Sequence, residues 1–406
     1  MRILLHIRPI LAALRSHKTA VLLLVLEIAL TMAVLCNLVF IVYGTMQRSK
    51  VPTGVAESTI GVIQSIGVIG FANKGNIQND IAVLRAVPNV LAATYGGPPL
   101  WYVQQDSAFL ESSHRQKIGM IYEFQGSQGL SQTLGLHIVQ GEEFDDNELP
   151  TATTYTPTLT IPVLMTQALA QHLFPKGNAL GSIFYDSGTN PMRIIGIIDH
   201  LRGAITNQQN DDWSIVFEQM YSGHQDGGGG FMIRVHEPSQ LQETLRAAAA
   251  ALQKVNPGHV SNKVFTMPEL RKQYFQSDMA AGRMLVAIIV ILLVVTALGV
   301  SGLASFWVQQ RRRQIGMRRA LGATRGDILH YFQAENFLIF TAGVVLGVAL
   351  AYALNLFLMQ RFELARLPAP YLLVGAVVLW VLGQAAVLGP ALRAAAVPPV
   401  VATRAV

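Results

Sequence analysis

The sequence predicts a membrane protein: an α-helical bundle of four spans in a one-plus-three arrangement, with a large α+β domain of two lobes inserted between the first and second spans. Three observations predict it. Four stretches are apolar and long enough to cross a bilayer, the 237 residues from Met46 to Gly282 have the composition of a soluble domain, and the basic residues gather at one set of span ends. Hydrophobic residues make up 51% of the chain and charged residues only 13%, a balance outside that of ordinary soluble domains.

Residues 1–18 read as an amphipathic helix on the inner leaflet, with Ile3, Leu4, Ile7, Ile10, Leu11 and Leu14 on one stripe and Arg2, Arg8 and Arg15 off it. The first span, Ala20 to Tyr43, is longer than the apolar core of a secretory signal and no small-residue cleavage site follows, so it is expected to remain as an anchor. Cys36 within it is the only cysteine, which excludes an intrachain disulfide.

The inserted domain, 46–282, carries one pattern twice. Thr59 to Ile66 reads as a strand, Ile77 to Val87 as a helix with Ile81, Leu84 and Val87 on one face, and Val90 to Tyr95 as a strand. The second copy runs Phe231 to His236, Ser239 to Val255 and Val260 to Thr266, with Leu241, Leu245 and Leu252 facing inward. The two copies predict one α/β lobe, 57–97 plus 229–268, into which a mostly β lobe, 98–228, is inserted. In that insert Ile161 to Met165, Ser182 to Tyr185 and Arg193 to Ile198 read as strands and Thr166 to Phe174 as a short helix. Gly227 to Gly230 reads as a return linker, since a phosphate cradle needs strand before and helix after, and here the order is reversed. Residues 269–283 hold no helix breaker and predict a stalk helix leading straight into the second span.

The remaining spans are 284–308, 333–359 and 371–392, separated by a loop at 309–332 and a short one from Gln360 to Pro370, with a tail at 393–406. Met284 to Val308 and Phe337 to Met359 are free of charge over 25 and 23 residues, more than the roughly 20 a helix needs to span. The first eighteen residues hold four basic side chains and no acid, and the loop holds Arg311, Arg312, Arg313, Arg318, Arg319 and Arg325 against Asp327. Lys and Arg in short loops stay on the cytoplasmic side, so both termini and this loop are expected inside and the large domain outside. The outer segment carries 15 basic and 20 acidic residues, net −5, against +11 for the rest. Because the cations border spans and lack interleaved aromatics, lipid headgroups are their expected partner and nucleic acid is not.

No phosphate loop, zinc-binding helix, nucleophile elbow or cysteine metal spacing occurs, so neither a catalytic centre nor a bound cofactor or metal is expected in this chain. Polar groups inside the spans are few: Glu27, Asn37, Asn355 and Gln384, with Glu335 at the inner edge of the third span. A charged carboxylate at mid-membrane costs roughly 2.5 to 3.5 kcal/mol, so Glu27 reads either as a static hydrogen bond locking two helices or as an interhelical switch. Glu335 is expected to cap the loop helix or pair with one of its arginines. Gly343 and Gly347 form a GxxxG pattern, read as a dimer seam.

From Arg312 the loop reads R-R-Q-I-G-M-R-R-A-L-G-A-T-R-G-D-I, which resembles the E-I-G-x-R-R-A-L-G-A loop after the second span of MacB/FtsX-family ABC-transporter permeases. The Gly389-Pro390-Ala391-Leu392-Arg393-Ala394 segment with Pro398 looks like that family's closing motif. Gly141-Glu142-Glu143-Phe144 and Leu173-Phe174-Pro175 with Leu180-Gly181 are similar to its periplasmic core domain. The resemblance implies a permease of the bacterial inner membrane with a periplasmic domain. It pairs with a second copy or a paralogue and is driven by a separate cytoplasmic ABC ATPase that binds ATP and Mg. It implies mechanotransmission: export or efflux of a drug, peptide or lipid-linked cargo, through a periplasmic adaptor and outer-membrane duct. The ATPase-coupling residues it implies are Arg313, Gln314, Ile315, Gly316, Met317, Arg318, Arg319, Ala320, Leu321, Gly322 and Ala323. Gln314 stands where the family has Glu, which removes a carboxylate that could meet a partner's arginine. Ile315, Met317, Ala320, Leu321 and Ile328 are read as one apolar docking face. Within the family, lipoprotein release is the alternative; from another class, a membrane-anchored sensor is.

Overall fold

A computed structural model describes residues 18–65, 77–100, 104–113, 117–145, 147, 149–150, 159–188, 190–203, 210–219, 230–255, 260–362 and 366–396. The expected N-terminal amphipathic helix, the Gly227–Gly230 linker and the tail beyond 396 lie wholly or almost wholly outside these residues. The chain divides into two compact units, one of residues 1–46 with 278–406 and one of residues 47–277.

Among the described residues of the first unit, four helices are long and apolar enough to cross a membrane: α1 (Lys18–Arg48) before the inserted domain in chain order, and three after it. The shortest has 27 residues and rises about 40 Å at 1.5 Å per residue, more than the roughly 30 Å of a bilayer's hydrocarbon. Their core is dominated by Ile28, Met32 and Phe340, with Ala351, Leu379 and Ala391 around them.

The second unit begins with β1 (Ile60–Ser65), α2 (Ile77–Arg85) and β2 (Val90–Gly96). It continues with β3 (Gln104–Phe109), β4 (Lys117–Gly126), α3 (Leu130–Leu134), β5 (Ile138–Gly141), β6 (Ile161–Thr166) and α4 (Gln167–Leu173). Then come β7 (Ile183–Tyr185), β8 (Pro191–Ile198), β9 (Ser214–Glu218), β10 (Gly230–Val235), α5 (Leu241–Val255) and β11 (Val260–Thr266). The two strand–helix–strand copies share one antiparallel sheet in the order β11-β1-β10-β2, the split βαβ arrangement. Ile81, Leu84, Leu245 and Leu252 of its two helices pack on Ile63, Phe231 and Ile233.

The inserted strands close a ring: β4 pairs β3, β3 pairs β7, β7 pairs β8, β8 pairs β6, β6 pairs β9, and β9 returns to β4. Its interior is filled by Ile121, Val163, Met165, Phe184, Ile194 and Phe217. The two lobes expected from sequence are therefore joined more closely than anticipated. The β2–β4 pair Gly96↔Gly126 makes them one sheet, because ten-residue β4 outruns β3 and reaches β2. A Cβ at Gly96 would lie 2.8 Å from the Gln125 carbonyl, so only glycine lets the strands meet there. Ile60, Val62 and Met232 from one lobe and Phe124, Leu164 and Val216 from the other share a core.

The stalk is not one helix. α6 (Met267–Tyr274) ends at Phe275, and α7 (Gln276–Gln310) starts after it. Phe275 leaves the helical track to bury its ring beside Leu100, with the Arg271 guanidinium over it at 5.8 Å. α6 itself starts with a capping box in which Thr266 and Glu269 satisfy each other's backbone N–H groups.

Candidate coupling site

The basic loop folds as a short helix clamped to the bundle. α7 stops at Gln310, Arg311 leaves the helical track, and α8 (Arg312–Ala320) follows. A turn through Gly322, at φ +101°, leads into α9 (Arg325–Phe362); the last span is α10 (Ala369–Ala395). The first turn of α9 is fixed by Thr324 and Asp327: the Thr324 N–H and hydroxyl donate to the Asp327 carboxylate at 2.9 and 2.7 Å. The Asp327 N–H returns a bond to the Thr324 hydroxyl at 3.2 Å. α9 thus reaches eight residues into what the sequence reads as loop.

Three arginines are spent on this clamp. Arg311 Nη1 lies 3.0 Å from both oxygens of Glu335, in a nearly buried ion pair. The Arg318 guanidinium lies 4.8 Å above the Tyr331 ring. Arg319 Nη1 donates to the Ala395 carbonyl at 2.7 Å, where the end of α10 leaves carbonyls without helical partners. Gly316 and Ile315 are buried, and Ile315 sits in the bundle core with Ile328 and Phe332. Arg311, Gln314, Ile315, Arg318, Ile328, Tyr331 and Phe332 line a groove at this corner.

The expected single apolar face therefore splits. Positions 315 and 317 are two residues apart, about 200° around a helix, so they cannot share a side. Ile315 and Ile328 anchor inward, while Met317 is 52% and Leu321 86% exposed. Ala320, Arg312, Arg313 and Gln314 are exposed as well, Gly322 occupies the outer turn, and Ala323 packs at the edge of the core.

The intramembrane candidates separate similarly. Asn37 Nδ2 donates to the Ala33 and Ala351 carbonyls at 2.9 and 3.1 Å, tying α1 to α9. Glu27 is no hydrogen-bonded lock: among the described residues no bond reaches its carboxylate, which lies where a Cβ on Gly299 of α7 would be, 2.7 Å from Oε1. The lock sits one turn on, where the Thr31 and Thr296 hydroxyls meet at 2.9 Å. Gly343 and Gly347 are not a dimer seam; they receive α1 inside the bundle, since a Cβ on them would meet Ile28 and Met32 at 2.7 and 2.5 Å. Sequence reasoning singles out neither Arg311 nor Asn336, whose Nδ2 donates to the Gly383 carbonyl at 3.0 Å. The signal for Arg311 is Glu335 itself, an acid at the edge of an apolar span that needs a cation.

Among the described residues, one apolar helix precedes and three follow a large α+β domain in chain order, which is the make-up of a membrane protein. Residues 286–399 match the family model described as FtsX-like permease C-terminal. The macrolide export ATP-binding/permease protein MacB of Chromobacterium violaceum is 30% identical over 198 residues, 48% of this chain and 30% of that protein. The ABC transporter permease YknZ of Bacillus subtilis is 26% identical over 227 residues, 55% and 54% respectively. The chain thus spans about a third to a half of the length of these relatives, and it matches the permease part of MacB. The solved periplasmic region of MacB from Actinobacillus actinomycetemcomitans aligns over 54% of this chain and 94% of its own, at 11% identity and a TM-score of 0.36. Residues 286–399 thus carry an FtsX-like permease C-terminal segment, and the chain is similar to MacB-type ABC-transporter permeases.

Proposed function

We propose that this chain is the force-transmitting membrane part of an ABC transporter of the bacterial inner membrane, with α8 as the point where the ATPase docks. The observation that carries the reading is the two-sided character of α8. Its inner side is fastened by Ile315, the Arg311–Glu335 pair and the Arg319–Ala395 bond. Its outer side leaves Met317 and Leu321 uncovered beside Arg312 and Arg313. An apolar pair rimmed by cations suits a groove on a second protein, and a helix fastened at three points passes a push on to α9 and α10 instead of bending. ATP and Mg belong to the partner, and the outer domain acts on an exported cargo of drug, peptide or lipid-linked type, handed to an adaptor and duct. A second permease copy or paralogue completes the assembly, and α7, which is mostly exposed along its length, offers the face to receive it.

The test is co-purification with the cognate ATPase. Met317→Asp combined with Leu321→Asp is expected to weaken the complex at least about tenfold, the order that burying two hydrophobic anchors supplies. Arg366→Glu, on the exposed segment before α10, leaves it intact. Undiminished binding by the double variant removes α8 as the docking element.

A further inference from the structure

Among the described residues, the β ring buries a carboxyl, that of Glu123, with one oxygen left without a hydrogen-bond partner. Side chains alternate along β4, and Glu123 faces the same side as Ile121. Across the ladder it pairs with Ile215 of β9, and both isoleucines belong to the ring's apolar core. Glu123 is only 6% exposed, and its Oε1 has no hydrogen-bond partner among the described residues. The contrast is Glu218, also buried, which accepts the Gly129 N–H at 2.8 Å and the Ser131 N–H at 3.0 Å.

The charges acting on Glu123 are both negative: Asp106 from β3, and Asp186 from the turn after β7. β9, on the other side, brings Ile215 and no charge. The two aspartates are committed as acceptors. Asp186 takes the Asn190 N–H at 2.7 Å and the Asn190 Nδ2 at 2.6 Å. Asp106 takes the Ser107 N–H at 2.6 Å and reaches across to the Ser187 N–H at 3.2 Å. That last bond spans the thinnest closure of the ring, where β3 and β7 are joined by the single pair Phe109↔Tyr185.

We propose that Glu123 is a proton-operated latch of the ring: protonated, it lets β3 and the β7–β8 turn close over it, and when ionised it parts them. A third negative charge beside Asp106 and Asp186, on a carboxyl largely withdrawn from solvent, repels both and favours the arrangement that exposes it further. Burial first, then Asp106 and Asp186, push the Glu123 carboxyl from the ordinary 4.5 up to about 8. A raised value means that the closed ring holds the proton more tightly than the open one. Closure is therefore strongest below the ordinary carboxylate value, weakens as pH climbs, and levels off above about 8.

Hydrogen exchange read by mass spectrometry on the full-length chain in detergent micelles tests this, with labelling times scaled for the pH dependence of intrinsic exchange. Between about pH 6 and pH 9, protection of peptides covering β3 and β7 should fall by on the order of a hundredfold, while β1 and β10 stay protected. Glu123→Gln, which copies the protonated form, should keep the seam protected at both pH values. Glu123→Met, neutral and of similar volume, does the same should the amide variant fail to fold. A seam whose protection ignores pH overturns the latch. So does equal loss in β1 and β10, which is general destabilisation, and so does an unchanged pH response in the Gln variant.

Discussion

At the residue scale the decisive pair is Arg311 with Glu335. Two bonds of 3.0 Å to one carboxylate hold the exit of α7 against α9 where water is nearly excluded, and neither charge has room to solvate itself if the other is removed. Glu335→Ala is expected to cost about 3–5 kcal/mol because it strands a buried guanidinium. Arg311→Met with Glu335→Leu should recover most of that, since an apolar pair of like volume needs no compensation. Thermal unfolding of the two variants in the same detergent checks it: equal loss in single and double variants would mean that packing, not charge, is what the site provides. Arg319 adds a tie to a neutral group, its Nη1 donating to the helix-end carbonyl of Ala395. Arg312 and Arg313 are exposed.

At the element scale, packing of α1 onto α9 rests on missing side chains. A Cβ on Gly347 would approach the Met32 Cβ to 2.5 Å and the Ala29 carbonyl to 3.0 Å, contacts with main chain and side-chain root that no rotamer change relieves. Gly347→Leu should therefore drive α1 from its seat and lower the melting temperature of the isolated chain, by an overpacking penalty of about 1–3 kcal/mol or more. If that variant melts normally and only loses self-association, the glycines belong to a dimer after all. The sequence shows the GxxxG pattern but not which helix fills it, because every span is apolar and the partner is chosen by shape. Legibility elsewhere follows the same divide. The doubled strand–helix–strand pattern can be read because β10 and α5 bury regular faces, and Phe231 and Leu245 stand at their expected places. β3 and β4 escape reading because Asp106, Glu123 and Gln125 break the alternation with polar residues on the inward side of a ring. At the coupling helix the residue types are legible as a motif. Their division into inward Ile315 and outward Leu321 is not, since it depends on how α8 lies against Ile328 and Phe332.

At the scale of the whole molecule, the reading requires α8 and the ring of strands to lie on opposite sides of the membrane. The segment 46–282 carries net −5 and the remainder +11, and retention of Lys and Arg in short loops puts the positive part inside. If all four helices span, Lys18 and Ala396 are expected on the side of α8. The chain's only cysteine, Cys36, is buried in α1, so it can be replaced by alanine and single reporters introduced at will. Leu321→Cys places a thiol on the outer side of α8, at a position 86% exposed. Val139→Cys places one on β5, at a position 43% exposed. A membrane-impermeant maleimide applied to spheroplasts is expected to label Val139→Cys at once and Leu321→Cys only after the membrane is opened. The reverse pattern would turn the chain over, put α8 out of reach of any ATP-hydrolysing partner, and end the coupling reading. Labelling of both from outside would mean that α1 or α7 does not span at all, a result that their 31 and 35 residues of mostly apolar helix argue against.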